Sequence, residues 1–194
     1  MYSHGKYRKL VKHYHEPGDL HELTFSCFQR MQLLVNDEWR KWLAESINVA
    51  GVKHHFELLA FVFMPEHVHL LVSPLEAKPN IDKYLASIKQ PFSSRVKKDL
   101  KAAADPMLAT LTIRERPGKF VFRFWQEGPG YDRNLRKPET ILSSIDYFQE
   151  NPVERGLVTR AIDCKWSSAR LYLCLDEPID PDLPIVKKLP WWAL

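Results

Sequence analysis

The segment that most constrains the fold is His55–Ser73, HFELLAFVFMPEHVHLLVS. Two apolar runs rich in Phe, Val and Leu flank Met64-Pro65-Glu66. Each run has the length and composition of a strand, and the Met-Pro-Glu between them turns the chain, so a β-hairpin is expected. Strands this apolar must be covered by other elements, which points to a sheet buried under helices. The second strand carries an irregularity, His67 and His69 on either side of Val68. Residues i and i+2 of a strand project from one face. The two imidazoles therefore point together, while Val68 and Leu70 point into the core. Two imidazoles on a sheet face can be ordinary satisfied polar residues. At this spacing they can equally chelate one divalent metal. The pair by itself leaves both readings open.

The remaining pattern supplies the covering helices. His21–Gln29 is rich in Thr, Phe and Cys and partly alternates, as a strand does. Asn36 can cap a helix in which Trp39, Trp42, Leu43, Ile47 and Ala50 recur at helical spacing, and Gly51 is expected to end it. Residues 79–100 read as a second helix with Ile81, Tyr84, Leu85 and Ile88 on one side, interrupted or kinked at Pro91. Residues 101–118 look loop-rich, and Lys119–Gln126, KFVFRFWQ, reads as the fourth strand. Residues 137–151 form a last helix, expected to stop at Asn151 because Pro152 disfavours helical geometry at the residue before it. The order strand, helix, strand, strand, helix, strand predicts an α+β, ferredoxin-like antiparallel sheet with the crossover helices on one face and the other face free for a site. The expected organisation is a basic N-terminal extension at 1–20, one domain at 21–175, and an acidic, proline-rich, extended tail at 176–194 that Trp191 and Trp192 pack back onto the body.

Apolar residues make up 45% of the 194-residue chain, enough to fold. No apolar run approaches the ~20 residues that span a bilayer. The N-terminus lacks the apolar segment of a secretory signal, and three cysteines without C-x-x-C spacing suggest neither a disulfide framework nor a zinc site. The expectation is a reduced, cytoplasmic protein with no membrane partner. The net charge is +4, unevenly spread: Lys6, Arg8, Lys9 and Lys12 stand without an acid near them, and Arg133, Arg136 and Lys137 follow a glycine-rich turn. A basic body of this kind suits a polyanion through counterion release. His4, His13, His15 and His21 are expected to be exposed beside the basic extension, and His54 and His55 to lie at the surface. Trp125 reads as core, and Tyr131, placed in a loop after Gly130, can stack an unpaired base.

Tyr147 and Asn151 stand four residues apart on the last helix and so share a face. An amide oxygen is a hard ligand for magnesium or manganese. A phenol can attack phosphorus when held in line with a polarised phosphate. Taken one at a time, Tyr147 can equally be a half-buried aromatic and Asn151 a polar residue before a helix-ending proline.

The set MPEHVHLLVS, WQEGPGYDRNLR and IDYFQENPVERGLV, followed by KWSSARLYL, resembles the IS200-like transposases, and most closely their REP-associated branch among the single-tyrosine HUH endonucleases. The resemblance spans about Glu22 to Tyr172. It implies that fold, single-stranded or hairpin DNA as substrate, Tyr147 as nucleophile, and His67, His69 and Asn151 as ligands of Mg2+ or Mn2+. It implies a DNA nickase and strand-transferase that forms a 5′-phosphotyrosine and acts in transposition or on REP-type hairpins, as monomer or homodimer. Lys6, Arg8, Lys9, Lys12, Tyr131, Arg133, Arg136 and Lys137 are the candidate DNA contacts. The competing readings are a non-catalytic single-stranded nucleic-acid binder on the same fold and a histidine phosphoesterase without a tyrosine intermediate. Tyr131 is the rival nucleophile.

Overall fold

The computed structural model describes residues 19–128, 130–173 and 180–189. In chain order the elements are β1 (Leu20–Ser26), α1 (Asp37–His54), β2 (Phe56–Phe63), β3 (His67–Pro74), α2 (Ile81–Ala102), α3 (Met107–Thr110), β4 (Thr112–Arg116), β5 (Lys119–Phe122), β6 (Tyr131–Leu135), α4 (Pro138–Glu154) and α5 (Ala169–Leu173). The main sheet has the order β2-β3-β1-β6, and every neighbouring pair is antiparallel. This is the ferredoxin-like arrangement expected from the sequence.

One face of the sheet carries Leu23 and Phe25 of β1 and Val68, Leu70 and Val72 of β3. They pack with Leu43 and Ile47 of α1 and Ile88 and Phe92 of α2 into the larger core. The α1 N-terminus is capped as expected, with the Asn36 side chain accepting from the Glu38 and Trp39 N–H groups. Gly51 does not end the helix. α1 runs to His54 and closes on His55 in the left-handed conformation, at φ 55°. A Cβ at position 51 would meet the Phe56 carbonyl oxygen at 3.0 Å, so this glycine permits the tight entry into β2. α2 is continuous through Pro91, whose missing N–H lies on the exposed side.

The opposite face is not bare. α4 packs Ile145 and Phe148 onto Leu59, Ala60, Val62, Leu71 and Leu135 in a second, smaller cluster. α4 also passes its expected stop at Asn151 and continues to Glu154. The last turn survives Pro152 because Arg155 N–H reaches the Asn151 carbonyl at 3.0 Å and Leu157 N–H reaches that of Pro152 at 2.9 Å.

Two strand assignments change. Lys119–Phe122 is strand, but it pairs with β4 in a separate two-stranded ribbon, and β4 itself lies in the stretch read as loop-rich. The fourth strand of the main sheet is Tyr131–Leu135, so Tyr131 begins a strand and does not sit in a loop. His21 is also misplaced by the sequence reading. It is fully buried, with Nδ1 2.8 Å from Asp132 Oδ1, because β1 starts at Leu20 and puts position 21 on the same face as Leu23 and Phe25. Trp125 is core, packed edge-on against Phe25 and Phe124. His54 is half-buried against Ser87, and His55 is exposed. His4, His13, His15, Trp191 and Trp192 lie outside the described residues.

β2 is an edge strand, and its open side is covered in two places. Phe63 N–H donates to the Trp166 carbonyl and Ser168 N–H to that of Phe61, while Trp166 Nε1–H anchors on Asp37. Further along, Lys187 N–H donates to the Leu58 carbonyl. The Trp-Ser-Ser stretch thus protects an edge that would otherwise offer unpaired backbone groups. Among the described residues no helix is long and apolar enough to cross a membrane.

Candidate active site between the sheet and the last helix

β1, β3 and β6 bring their polar residues to the face under α4 in register. Thr24 pairs with His69 on one side and Tyr131 on the other, and Glu22 pairs with Leu71 and Arg133. The sheet therefore presents a row His69–Thr24–Tyr131 and, one step along, Glu22 beside Arg133. Gly130 is what lets β6 come this close. It has φ 89°, and a Cβ there would stand 2.3 Å from the Thr24 carbonyl oxygen.

His67 and His69 are 9% and 6% exposed, and their Nε2 atoms lie 2.9 Å apart. His69 Nδ1 is 2.8 Å from Thr24 Oγ1. Burial pushes the His69 imidazole down to about 3, with the neighbouring His67 adding to the effect. Burial also lowers His67, against the opposing charge of Glu66. Both rings are therefore neutral at pH 7 and offer lone pairs. If His69 donates its Nδ1–H to Thr24, its Nε2 is an acceptor. The facing His67 Nε2 would then carry the shared proton, leaving His67 Nδ1 bare.

That arrangement is incomplete in an informative way. Among the described residues His67 Nδ1 and Glu66 Oε2 are both buried without a hydrogen-bond partner, although Glu66 Oε1 lies 3.2 Å from that Nδ1. His67 and His69 would hold a divalent cation through Nε2, with the His67 proton then on Nδ1 beside the Glu66 carboxylate. The carboxylate–histidine–metal arrangement is a common one. Two neutral imidazoles with facing Nε2 atoms are a donor set that suits a divalent metal, although among the described residues no group of three or more His, Cys, Asp or Glu could hold one, so a further ligand must be of another type. Glu66 is held in turn by Arg155, whose Nη2 is 2.9 Å away at the end of α4. Burial alone would raise the Glu66 pKa, but the Arg155 hydrogen bond and the charges of His67 and Arg155 bring it below the usual carboxylate value.

α4 lays Tyr147 over this pair. Its ring centroid is 5.4 Å from that of His69, nearly perpendicular, and the residue is 44% exposed, open to a polymer. Phe148 stacks on His69 at 5.1 Å from beneath the helix. Asn151, one turn after Tyr147, is 5% exposed, and its side chain has no hydrogen-bond partner among the described residues. Tyr131 and Tyr147 line one open cleft of about 660 Å3, floored by Glu22, Thr24, His69 and Arg133 and walled by Ser143 and Ser144.

The candidate DNA contacts divide. Tyr131 is 54% exposed at the cleft mouth. Arg133 stands 3.9 Å from Glu22. Arg136 is engaged by Asp19, with Nε 2.8 Å from Oδ1, and Lys137 is exposed just before α4. Lys6, Arg8, Lys9 and Lys12 lie outside the described residues. Sequence reasoning missed Glu22, Thr24, Glu66, Ser144 and Arg155. Glu66 had a signal, an acid directly before the H-x-H pair. The others meet only through strand register and helix docking.

Comparisons with known proteins agree with this fold. Residues 20–109 match the family model described as transposase IS200 like. The IS200-like resemblance is borne out. A putative REP-associated tyrosine transposase of Haemophilus influenzae is 24% identical over 143 residues, covering 70% of this chain and 76% of that protein. The structure of a REP-associated tyrosine transposase bound to a REP hairpin is similar with a TM-score of 0.64 at 19% identity, over 96% of each chain. The IS200-like match ends before β6 and α4, so Tyr147 and the cleft rest on the geometry above.

Proposed function

We propose that this chain is a metal-dependent single-stranded DNA endonuclease and strand-transferase, acting on hairpin-bearing DNA in transposition or at REP-type elements. The observation that carries the reading is an accessible Tyr147 whose ring lies 5.4 Å from that of His69, one of two neutral imidazoles whose Nε2 atoms lie 2.9 Å apart. His67, His69 and the unengaged amide of Asn151 would hold Mg2+ or Mn2+. Such an ion supplies Lewis-acid polarisation of a phosphate oxygen.

The chain's own groups do the rest. Thr24 and Glu66 orient the imidazoles, and Arg155 pins the end of the tyrosine helix to Glu66. The Tyr147 Oη attacks phosphorus, the P–O3′ bond breaks, and the strand 5′ phosphate becomes a phosphotyrosine. The phenol gives up one proton and the departing 3′ oxygen takes one up. The phosphodiester bond energy is kept, so a 3′-hydroxyl can reseal the strand by the reverse step. Holding nucleophile and phosphate in one cleft contributes through proximity. Hairpin DNA as partner draws on the similar protein bound to a REP hairpin, and the basic residues Arg133 in the cleft and Lys137, exposed just before α4, would track the backbone.

The test is a denaturing gel after incubation with single-stranded hairpin oligonucleotides and manganese. Tyr147→Phe removes one oxygen from a side chain that is 44% exposed, so stability should change by about 0.5 kcal/mol or less. The covalent adduct should vanish. Tyr131→Phe, on the facing wall of the same cleft, should keep it. An adduct that persists in Tyr147→Phe and is lost in Tyr131→Phe overturns the assignment of the nucleophile.

A further inference from the structure

The proposed mechanism leaves one group in the cleft without a role. Glu22 is 8% exposed, yet its side chain opens into the cleft that holds Tyr147. Ser144 Oγ–H donates to Glu22 Oε2 at 2.9 Å. The Arg133 guanidinium stands 3.9 Å from the same oxygen, which balances charge without occupying a lone pair at hydrogen-bond distance. Among the described residues Oε1 has no hydrogen bond, and Oε2 keeps a second lone pair. A buried carboxylate with open acceptor sites is costly unless something fills them. One row along the sheet, Tyr131 offers an exposed aromatic face on the same side, fixed by the close approach of Gly130.

We propose that Glu22, Tyr131 and Arg133 form a pocket for one unpaired guanine of the strand that Tyr147 attacks. This rests on the nicking function proposed above and deepens it. The donor pattern selects the base. A carboxylate presents two parallel acceptors, and only guanine presents two parallel donors, N1–H and the N2 amine. Thymine presents acceptors on both sides of a single N–H, so its oxygens would face the carboxylate. Adenine and cytosine each offer one amine beside an acceptor nitrogen. Tyr131 stacks the base, as exposed aromatics do in single-strand sites. Arg133 is left to contact guanine or the adjacent phosphate.

The test is fluorescence anisotropy with Tyr147→Phe protein, so that binding is read without reaction. The probes are short oligothymidylates carrying a single central guanine, hypoxanthine, adenine, cytosine or thymine. The guanine probe should bind about tenfold tighter than the all-thymine probe, within the range for a bidentate base contact. Hypoxanthine, which lacks only the N2 amine, should lose most of that advantage. Adding Glu22→Gln should shrink the guanine preference to about twofold or less, since one acceptor becomes a donor. Equal binding of guanine and hypoxanthine, or a preference for adenine or cytosine, overturns the pocket. That comparison uses protein with Glu22 intact and does not depend on how the variant folds. The adduct assay on unmodified protein separates the two readings. An adduct without guanine preference sinks the pocket alone, and guanine preference without an adduct sinks the nicking reaction alone.

Discussion

Phe148 couples the smaller core to the candidate site, and removing its ring should show how α4 is held. Phe148 is fully buried and, with Ile145, is one of the two apolar residues that α4 itself buries in the smaller cluster. A buried Phe→Ala change costs about 3–5 kcal/mol. The larger core, between the sheet and α1 with α2, lies on the opposite face and loses nothing directly. The cost should therefore fall on the docking of α4. Its opening should become about 3 kcal/mol easier, roughly a 150-fold loss of amide protection. Hydrogen exchange resolved by residue is the assay. Amides late in α4 should lose that factor, while those of β1 and β3 should lose less than about tenfold. Phe148→Leu, which keeps most of the apolar contact, should cost about 1 kcal/mol. Because Phe148 stacks on His69 at 5.1 Å, Phe148→Ala should also weaken manganese binding although Phe148 is not itself a proposed ligand. Equal losses across β1, β3 and α4 would refute the separate docking of α4, and unchanged α4 protection would refute its dependence on the ring.

Two further outcomes follow from the site and its surroundings. In calorimetric titrations with manganese, His67→Ala and His69→Ala should each remove the binding heat, and Glu66→Gln should weaken affinity about 10- to 100-fold by unsettling the His67 tautomer; undiminished affinity in Glu66→Gln counts against that tautomer argument. Burial pushes the Cys27 thiol from 9.0 up to about 12, so the fold favours its protonated form. That contribution is intact below pH 9.0 and is lost as pH rises toward about 12. Unfolding free energy should drop there by up to about 1.4 kcal/mol per pH unit more in the natural protein than in Cys27→Ala, and parallel alkaline profiles of the two would contradict it.

What local chemistry specifies was legible in the chain. The period-2 pattern through Val68 and Leu70 placed His67 and His69 on the other face, because side-chain alternation is a property of any strand. Asn36 capped α1, since capping depends only on neighbours within one turn. Tyr147 and Asn151 shared a helix by their spacing alone. Prolines and glycines were read too literally. Pro152 and Gly51 stop helices on average, but here burial of α4 and the close approach of Phe56 outweighed local preference.

The choice of fourth strand belonged to the tertiary structure. Lys119–Gln126 alternates more strongly than Tyr131–Leu135, yet a sheet edge accepts whichever segment reaches it in register. Gly130 allows β6 to come within reach of Thr24, while the stronger strand finds its partner in β4. That choice puts Tyr131 and Arg133 beside Glu22 and Thr24, and α4 then closes Ser144 and Tyr147 over them. The same docking brings Arg155 to Glu66 across 89 positions of sequence. The sequence determined which side chains could bind a metal and attack a phosphate. Only the packing of α4 on a completed sheet decided that His69 and Tyr147 share a cleft, because that contact joins residues whose own neighbourhoods carry no trace of one another.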